Sequence, residues 1–403
     1  MNDGQRLAAA ISLTLCGAVG AWLPGAATAA GRHENPYVYI GTHGVGAPGG
    51  APPTGADALP ANASPQGIYL ARLNAATGEL SLTGLGVSLA RATWLAVHPT
   101  LPVLYTSFEP GGMGANSTIV SYRIDRNAGS LQPLNQADGG GRDATAWDLD
   151  PKSATLLVAN HGSGSVTALP LLADGSVGAV ASTQEDFGSG PTPRQKSAAA
   201  HGIALDPSRH YVAVADFGAD RLFTYHFDAK SRALTPNEPR FEAMPPGSGP
   251  RHVLFHPNGH YLLVDAELTA ELRSYAWNPK TGQASLVQTV SVYPADGAGN
   301  KSAAELALSR DGRFAYVSLR GDQNSIVVYA FDSRRGTLQE IQRISSQGRT
   351  PWSFGIDPTG HWMLVTNEAS DSVAELKIDP ASGRLSATDQ SLTVPKPVAV
   401  AFY

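Results

Sequence analysis

The sequence predicts an all-β fold, a seven-bladed β-propeller with four antiparallel strands per blade, from three observations. Six stretches, residues 93–109, 145–161, 201–217, 251–267, 304–320 and 352–368, align with one another without a gap. Each is followed by a recurring third strand, and most then run through a glycine turn into a fourth, at a repeat of roughly 50 residues. The seventh copy is split between the chain ends: Tyr37-Val38-Tyr39-Ile40-Gly41-Thr42-His43 reads as a second strand and Pro397-Val398-Ala399-Val400-Ala401-Phe402 as a first strand. One blade completed by both termini closes the ring and removes the exposed sheet edges of an open array.

Within each aligned stretch an apolar run meets a polar turn, such as His98-Pro99, Asp150-Pro151, Asp206-Pro207, His256-Pro257-Asn258-Gly259 or Asp357-Pro358-Thr359-Gly360. A second apolar run such as Tyr261-Leu262-Leu263-Val264 follows, so each stretch is a hairpin of buried strands. The third strands are exemplified by Arg221-Leu222-Phe223-Thr224-Tyr225 and Ser325-Ile326-Val327-Val328-Tyr329, and the turns after them by Thr281-Gly282, Arg335-Gly336 and Ser382-Gly383. Four longer segments, 44–66, 109–117, 186–200 and 293–302, adjoin the open ends of the hairpins and are candidate walls or lids of a site.

Hydrophobic residues make up 42% of the 403 and charged residues 16%, enough apolar surface for a large core and too little charge for global disorder. A net charge of −5 without a Lys/Arg block argues against a nucleic-acid or anionic-membrane surface. Arg6, an apolar run over 7–23 and Ala27-x-Ala29 read as a cleaved secretory leader over residues 1–29, with the propeller over 30–403. The expected location is therefore the periplasm or the medium, with no membrane attachment after cleavage and a monomeric product. Cys16, the single cysteine, falls in the leader, which leaves the mature chain no disulfide, zinc–thiolate site or thiol nucleophile.

In a hairpin the first and last residues meet at the open end. The first aligned column holds Thr93, Thr145, His201, Arg251, Ala304 and Trp352; the last holds Glu109, His161, Phe217, Glu267, Arg320 and Glu368. Pseudo-symmetry gathers His201, Arg251, Glu267 and Arg320 at one end of the channel on consecutive blades, and these four are the candidate catalytic residues. Two guanidiniums suit a substrate anion or a developing oxyanion, and Glu267 or His201 suits proton transfer from water or a substrate C–H. His43, Glu109, His161, Asp216 and Glu368 are the candidate substrate-binding residues. No local ligand motif supports a metal, and no P-loop, G-x-S-x-G elbow or H-E-x-x-H occurs, so neither metal nor cofactor is expected.

Gly249-Pro250-Arg251-His252 with Ala266-Glu267-Leu268, then Ser302-Ala303-Ala304-Glu305-Leu306 through Asp311-Gly312-Arg313-Phe314 to Arg320-Gly321, resembles the seven-bladed propeller lactonase family. That family includes propeller-type 6-phosphogluconolactonases and carboxymuconate-lactonizing enzymes. The resemblance implies a site of one histidine, two arginines and a glutamate, carried over to His201, Arg251, Arg320 and Glu267, without the metal of other propeller lactonases. Three positions depart from the usual pattern: Ala199 replaces a histidine, and Ala266 and Leu319 replace asparagines. The function this implies is hydrolysis of a sugar lactone, 6-phosphogluconolactonase-like, with an unphosphorylated aldonolactone the better substrate for an exported enzyme. The partner is then a small-molecule lactone or sugar acid. The alternatives are a non-enzymatic periplasmic binding or scaffold propeller, and a muconate cycloisomerase using the same groups in reverse. An open pocket lined by the four residues favours catalysis; mutual pairing under a covered channel favours the scaffold.

Overall fold

The computed structural model describes residues 36–43, 66–108 and 114–403. The leader over 1–29, most of the segment 44–66 and Glu109 lie outside the described residues. The described chain forms seven four-stranded antiparallel sheets. Blade one is ordered Pro397–Phe402, Tyr37–Thr42, Gly67–Leu73 and Leu80–Ser88, so its first two strands come from opposite ends of the chain. Their register runs Val38↔Phe402, Tyr39↔Ala401 and Ile40↔Val400, and Tyr37 and Tyr403 exchange two backbone hydrogen bonds of 2.9 Å. The other six blades each follow chain order, starting at Leu95–Val97, Ala144–Asp150, Ala200–Leu205, Pro250–Phe255, Ala303–Leu308 and Pro351–Ile356. First strands of neighbouring blades touch one another from the third blade round to the second. Among the described residues no helix is long and apolar enough to cross a membrane.

The core is divided into seven apolar clusters, each filling the space between two adjacent blades. Strand alternation decides which cluster a residue joins. In Tyr211–Asp216, Val212 and Val214 pack toward blade three with Leu157, Ala159 and Val166, whereas Ala213 and Ala215 pack toward blade five with Leu262 and Val264. The closing blade works the same way, with Tyr37 and Tyr39 facing blade two and Val38 and Ile40 facing Trp362 and Leu364 of blade seven. Strands buried on both faces explain why the second strands read as continuous apolar runs rather than as alternating ones.

The glycine turns between third and fourth strands also join blades. Gly282 (φ 65°), Gly336 (φ 72°) and Gly383 (φ 71°) lie so close to Tyr211, Tyr261 and Phe314 of the preceding blade that a Cβ there would approach a ring carbon within 2.4, 2.2 and 2.3 Å. Both the left-handed backbone and the ring contact demand glycine. Gly336→Ala is therefore expected to destabilise by about 1–3 kcal/mol, through strain at φ > 0 and overpacking against Tyr261. A lowered urea-unfolding midpoint checks this, and an unchanged midpoint would show that the blade contact yields freely.

Candidate active site

Five of the six first-column residues, all but Thr93, occupy β-bulges, as does Val398 in the closing blade. Register breaks in the inner strand pair at Thr145, His201, Arg251–His252, Ala304–Glu305, Trp352 and Val398, in six of the seven blades. A bulge adds a residue with no partner opposite and re-aims its side chain. Amides displaced from the ladder find side chains on the second strand: His252 N–H donates to Asp265 Oδ1 at 2.6 Å, Glu305 N–H to Ser318 Oγ at 2.9 Å and Ser353 N–H to Thr366 Oγ1 at 3.1 Å. Each hairpin mouth is then closed by the last-column amide. Glu267 N–H donates to Gly249 O, Arg320 N–H to Ser302 O and His161 N–H to Asp143 O, at 2.8–2.9 Å.

These bulges face a cavity of about 320 Å³ at the mouth of the channel, within the range of small-molecule sites. Its lining includes His201, Arg251, Glu267 and Arg320, together with His43 and His161. Glu267 is the electrostatic centre. Its Oε2 accepts from Arg251 Nε at 3.2 Å and forms an ion pair with Arg320 Nη2 at 2.9 Å, and its Oε1 accepts from Arg194 Nη1 at 2.8 Å. Burial alone would raise the Glu267 carboxyl, but the charges of Arg320, Arg251 and Arg194 outweigh it and hold the group at about 2. Burial pushes Arg320 down to about 10, with Arg251 adding to the effect and Glu267 opposing it, so the guanidinium stays charged at neutral pH. Arg320 also stacks on Trp352, 4.7 Å from the ring centre, and donates from Nε to Ser302 Oγ. Arg251 donates from Nη1 to Ala304 O at 2.7 Å. Among the described residues, Arg251 Nη2 and Arg320 Nη1 make no protein hydrogen bond, so each arginine is fixed at one side and keeps a donor for a ligand.

The histidines of the cavity differ. His201 is held well below its ordinary value by burial, then by Arg251, His161 and His252, so it is neutral, and its Nδ1 is buried without a partner. His43 is lowered to about 4 by burial and Arg91. His161 Nδ1 lies 3.4 Å from Asp143 Oδ2, and its ring meets His201 edge-on with centroids 5.6 Å apart.

Two expected substrate contacts lie elsewhere. Asp216 precedes the last column by one residue, so strand alternation turns it away from the cavity; its carboxylate accepts from the amides of Ala199 and Ala219 at 2.7–3.0 Å. Glu368 begins the short 3₁₀ helix Glu368–Ser370 and pairs with Lys396 at 3.7 Å. Sequence reasoning did not single out Arg91, Asp143, Trp94, Glu305 or Ser353, all of which line the cavity. Arg91 and Asp143 carry a signal after the fact: both stand two residues before the first column at positive φ, as do Gly249, Thr350 and Lys396 in their blades. Among the described residues, no group of three or more His, Asp or Glu side chains is arranged to hold a metal ion.

The molecule is a closed seven-bladed propeller with an arginine-caged carboxylate lining the cavity at its mouth. The chain belongs to the family of seven-bladed β-propeller lactonases, whose family model matches residues 56–402. A 6-phosphogluconolactonase of Bacillus subtilis is 33% identical over 337 residues, covering 84% of this chain and 94% of that one. Another, of Formosa agariphila, is 28% identical over 81% of this chain and 93% of its own. The solved structure of the periplasmic gluconolactonase of Pseudomonas aeruginosa superposes with a TM-score of 0.80 at 31% identity, covering 91% of this chain and 99% of that one.

The Glu267 cage sets a pH expectation. The folded carboxyl titrates near 2, below its ordinary 4.5, so its contribution to stability is complete above about 4.5 and is lost as pH falls toward 2. Glu267→Gln is expected to cost about 3–5 kcal/mol at neutral pH by leaving buried guanidiniums uncompensated, and to flatten the acid slope in that window. Urea midpoints of both proteins between pH 2 and 5 measure it; parallel slopes would mean that Glu267 is not the group titrating.

Proposed function

We propose that this protein hydrolyses a sugar lactone, acting as a monomer in the periplasm, and that Arg251, Arg320, Glu267 and His201 form its catalytic centre. The observation that carries the reading is the pair of buried arginines, each held by Glu267 and each keeping a donor toward the cavity. The pairing expected of a scaffold and the open pocket expected of an enzyme occur together here. The cavity mouth is what separates them, because a purely structural ion cluster has no need to face one.

Water attacks the lactone carbonyl carbon, and the carbonyl oxygen gains negative charge between Arg251 and Arg320, which favour it electrostatically. Neutral His201 contacts the reacting water or carbonyl without bringing a charge. The ring C–O bond then breaks, its oxygen takes a proton, and the product is a hydroxy acid whose carboxylate the same arginines bind. Glu267, saturated by guanidiniums, orients them instead of taking the proton. An imidazole is left as the acceptor.

The names of the relatives support lactone hydrolysis over muconate cyclisation. The apolar leader with Ala27-x-Ala29 supports export, and export supports an unphosphorylated aldonolactone, since phosphorylated sugars are intracellular. A ring closed by the chain's own two ends supports a monomer.

The test is hydrolysis of glucono-δ-lactone and 6-phosphogluconolactone by the mature protein, with background hydrolysis subtracted. Glucono-δ-lactone is expected to be preferred, and Arg251→Ala to lower kcat/KM by about 10²–10³-fold while the variant stays folded. No turnover of either lactone above background, or full activity in Arg251→Ala, would overturn the proposal.

A further inference from the structure

We propose that His161 is the general base of this site and that Asp143 positions it, an assignment that rests on the lactone-hydrolysis reading above. Asp143 and His161 face each other across the mouth of the third hairpin, tied by the 2.9 Å bond from His161 N–H to Asp143 O. Asp143 stands at φ 52°, a left-handed conformation that aspartate tolerates better than most residues. That backbone brings its Oδ2 to 3.4 Å from His161 Nδ1, and Arg91 Nη2 approaches Oδ1 at 3.8 Å from behind. All three residues line the cavity.

A carboxylate 3.4 Å from Nδ1 favours the tautomer that carries its proton there and its lone pair on Nε2, the arrangement a general base needs, and it stabilises the imidazolium that forms. Burial acts to raise the Asp143 carboxyl, but the hydrogen bond and charge of His161 and the charge of Arg91 outweigh it, and the group is lowered and ionised. His43, His161 and His201 are the histidines on the cavity, and of these three only His161 has a described carboxylate within 4 Å of a ring nitrogen; His252, which has two at 3.8 Å, does not line the cavity. His201 cannot do this work well, since a proton there meets Arg251, His161 and His252. Glu267 is held by three guanidiniums. The pair is also particular to this blade: the positions equivalent to Asp143 and His161 hold Gly249 with Glu267, Ser302 with Arg320, and Lys396 with His43.

The step balances with water alone. The water oxygen bonds to the carbonyl carbon while one of its protons passes to His161 Nε2 and the carbonyl π pair moves to the oxygen between the arginines. On collapse the ring C–O bond breaks, and the imidazolium returns the proton to the departing alkoxide. The groups that act on His161 are Asp143 with Arg91 behind it, His201 from the next blade, and Asp216, whose charge also reaches it.

Wild type, Asp143→Asn, Asp143→Glu and His161→Gln are compared on glucono-δ-lactone for kcat, KM, pH profile and melting temperature. Asp143→Asn is expected to lower kcat about 10²-fold with KM within about twofold, and to move the acidic limb of kcat/KM to lower pH, because the lost anion no longer favours the imidazolium. Asp143→Glu is expected to recover most of kcat. His161→Gln is expected to lose as much as Asp143→Asn and to lose that acidic limb, and the double variant to be no worse than either. Wild-type kcat and pH profile in His161→Gln would overturn the assignment while leaving lactone hydrolysis standing. A loss confined to KM, or one that follows a fall in melting temperature, would make the pair structural and overturn it too. Absence of turnover in the wild type would instead remove the reading on which it rests.

Discussion

Everything in this molecule depends on the pairing of Tyr37–Thr42 with Pro397–Phe402. Each apolar cluster lies between two blades, so a ring opened at any one interface leaves two blades with a bare apolar face. Closing it covers Tyr37 and Tyr39 on one side and Val38 and Ile40 on the other, and at the same stroke immobilises the two ends that would fray first. The mouth of the channel inherits its rigidity from this. A site made of residues from separate blades keeps its geometry only while the blades cannot move apart.

Given a rigid ring, the bulge converts symmetry into chemistry. In six of the seven blades it takes one or two inner-strand residues out of the ladder, and in three of these the displaced amides are satisfied by Asp265, Ser318 and Thr366 from the second strand. Because the same backbone device recurs, sequence is free to vary at the exposed position. Apolar or neutral residues stand there in some blades, as Ala304 and Val398, and charged or ring-bearing ones in blades four, five and seven, as His201, Arg251 and Trp352. Charge concentrates on one side of the mouth, where Glu267 binds three arginines that would otherwise repel one another.

Strand periodicity made the blades, the closing pair and the four axial residues His201, Arg251, Glu267 and Arg320 legible in the sequence, because gapless alignment of hairpins also aligns their bulges. Register limits what that alignment shows. Asp216 is one position off the column and so faces the opposite way, into backbone amides. Glu368 is on the column, but the chain turns there into a 3₁₀ segment and the carboxylate meets Lys396. Arg91 and Asp143 lie outside the aligned hairpins, and only the left-handed backbone two residues before the column brings them inward. Arg194 comes from the segment 186–200, where length marked a candidate wall but no periodicity pointed to the side chain that reaches Glu267.

The division of charge among His201, Arg251, Glu267 and Arg320 limits which of them can accept a proton. A carboxylate strong enough to hold three guanidiniums in place has its lone pairs committed, and the low value that keeps it ionised makes it a weak proton acceptor. A histidine buried beside those guanidiniums is kept neutral by the same field. The positive cluster that favours an oxyanion therefore disfavours every imidazolium near it, unless an anion of its own accompanies that imidazole. Asp143 stands beside His161 on the far side of His201 from Arg251, where such a pair can take a proton without competing with the arginines for Glu267.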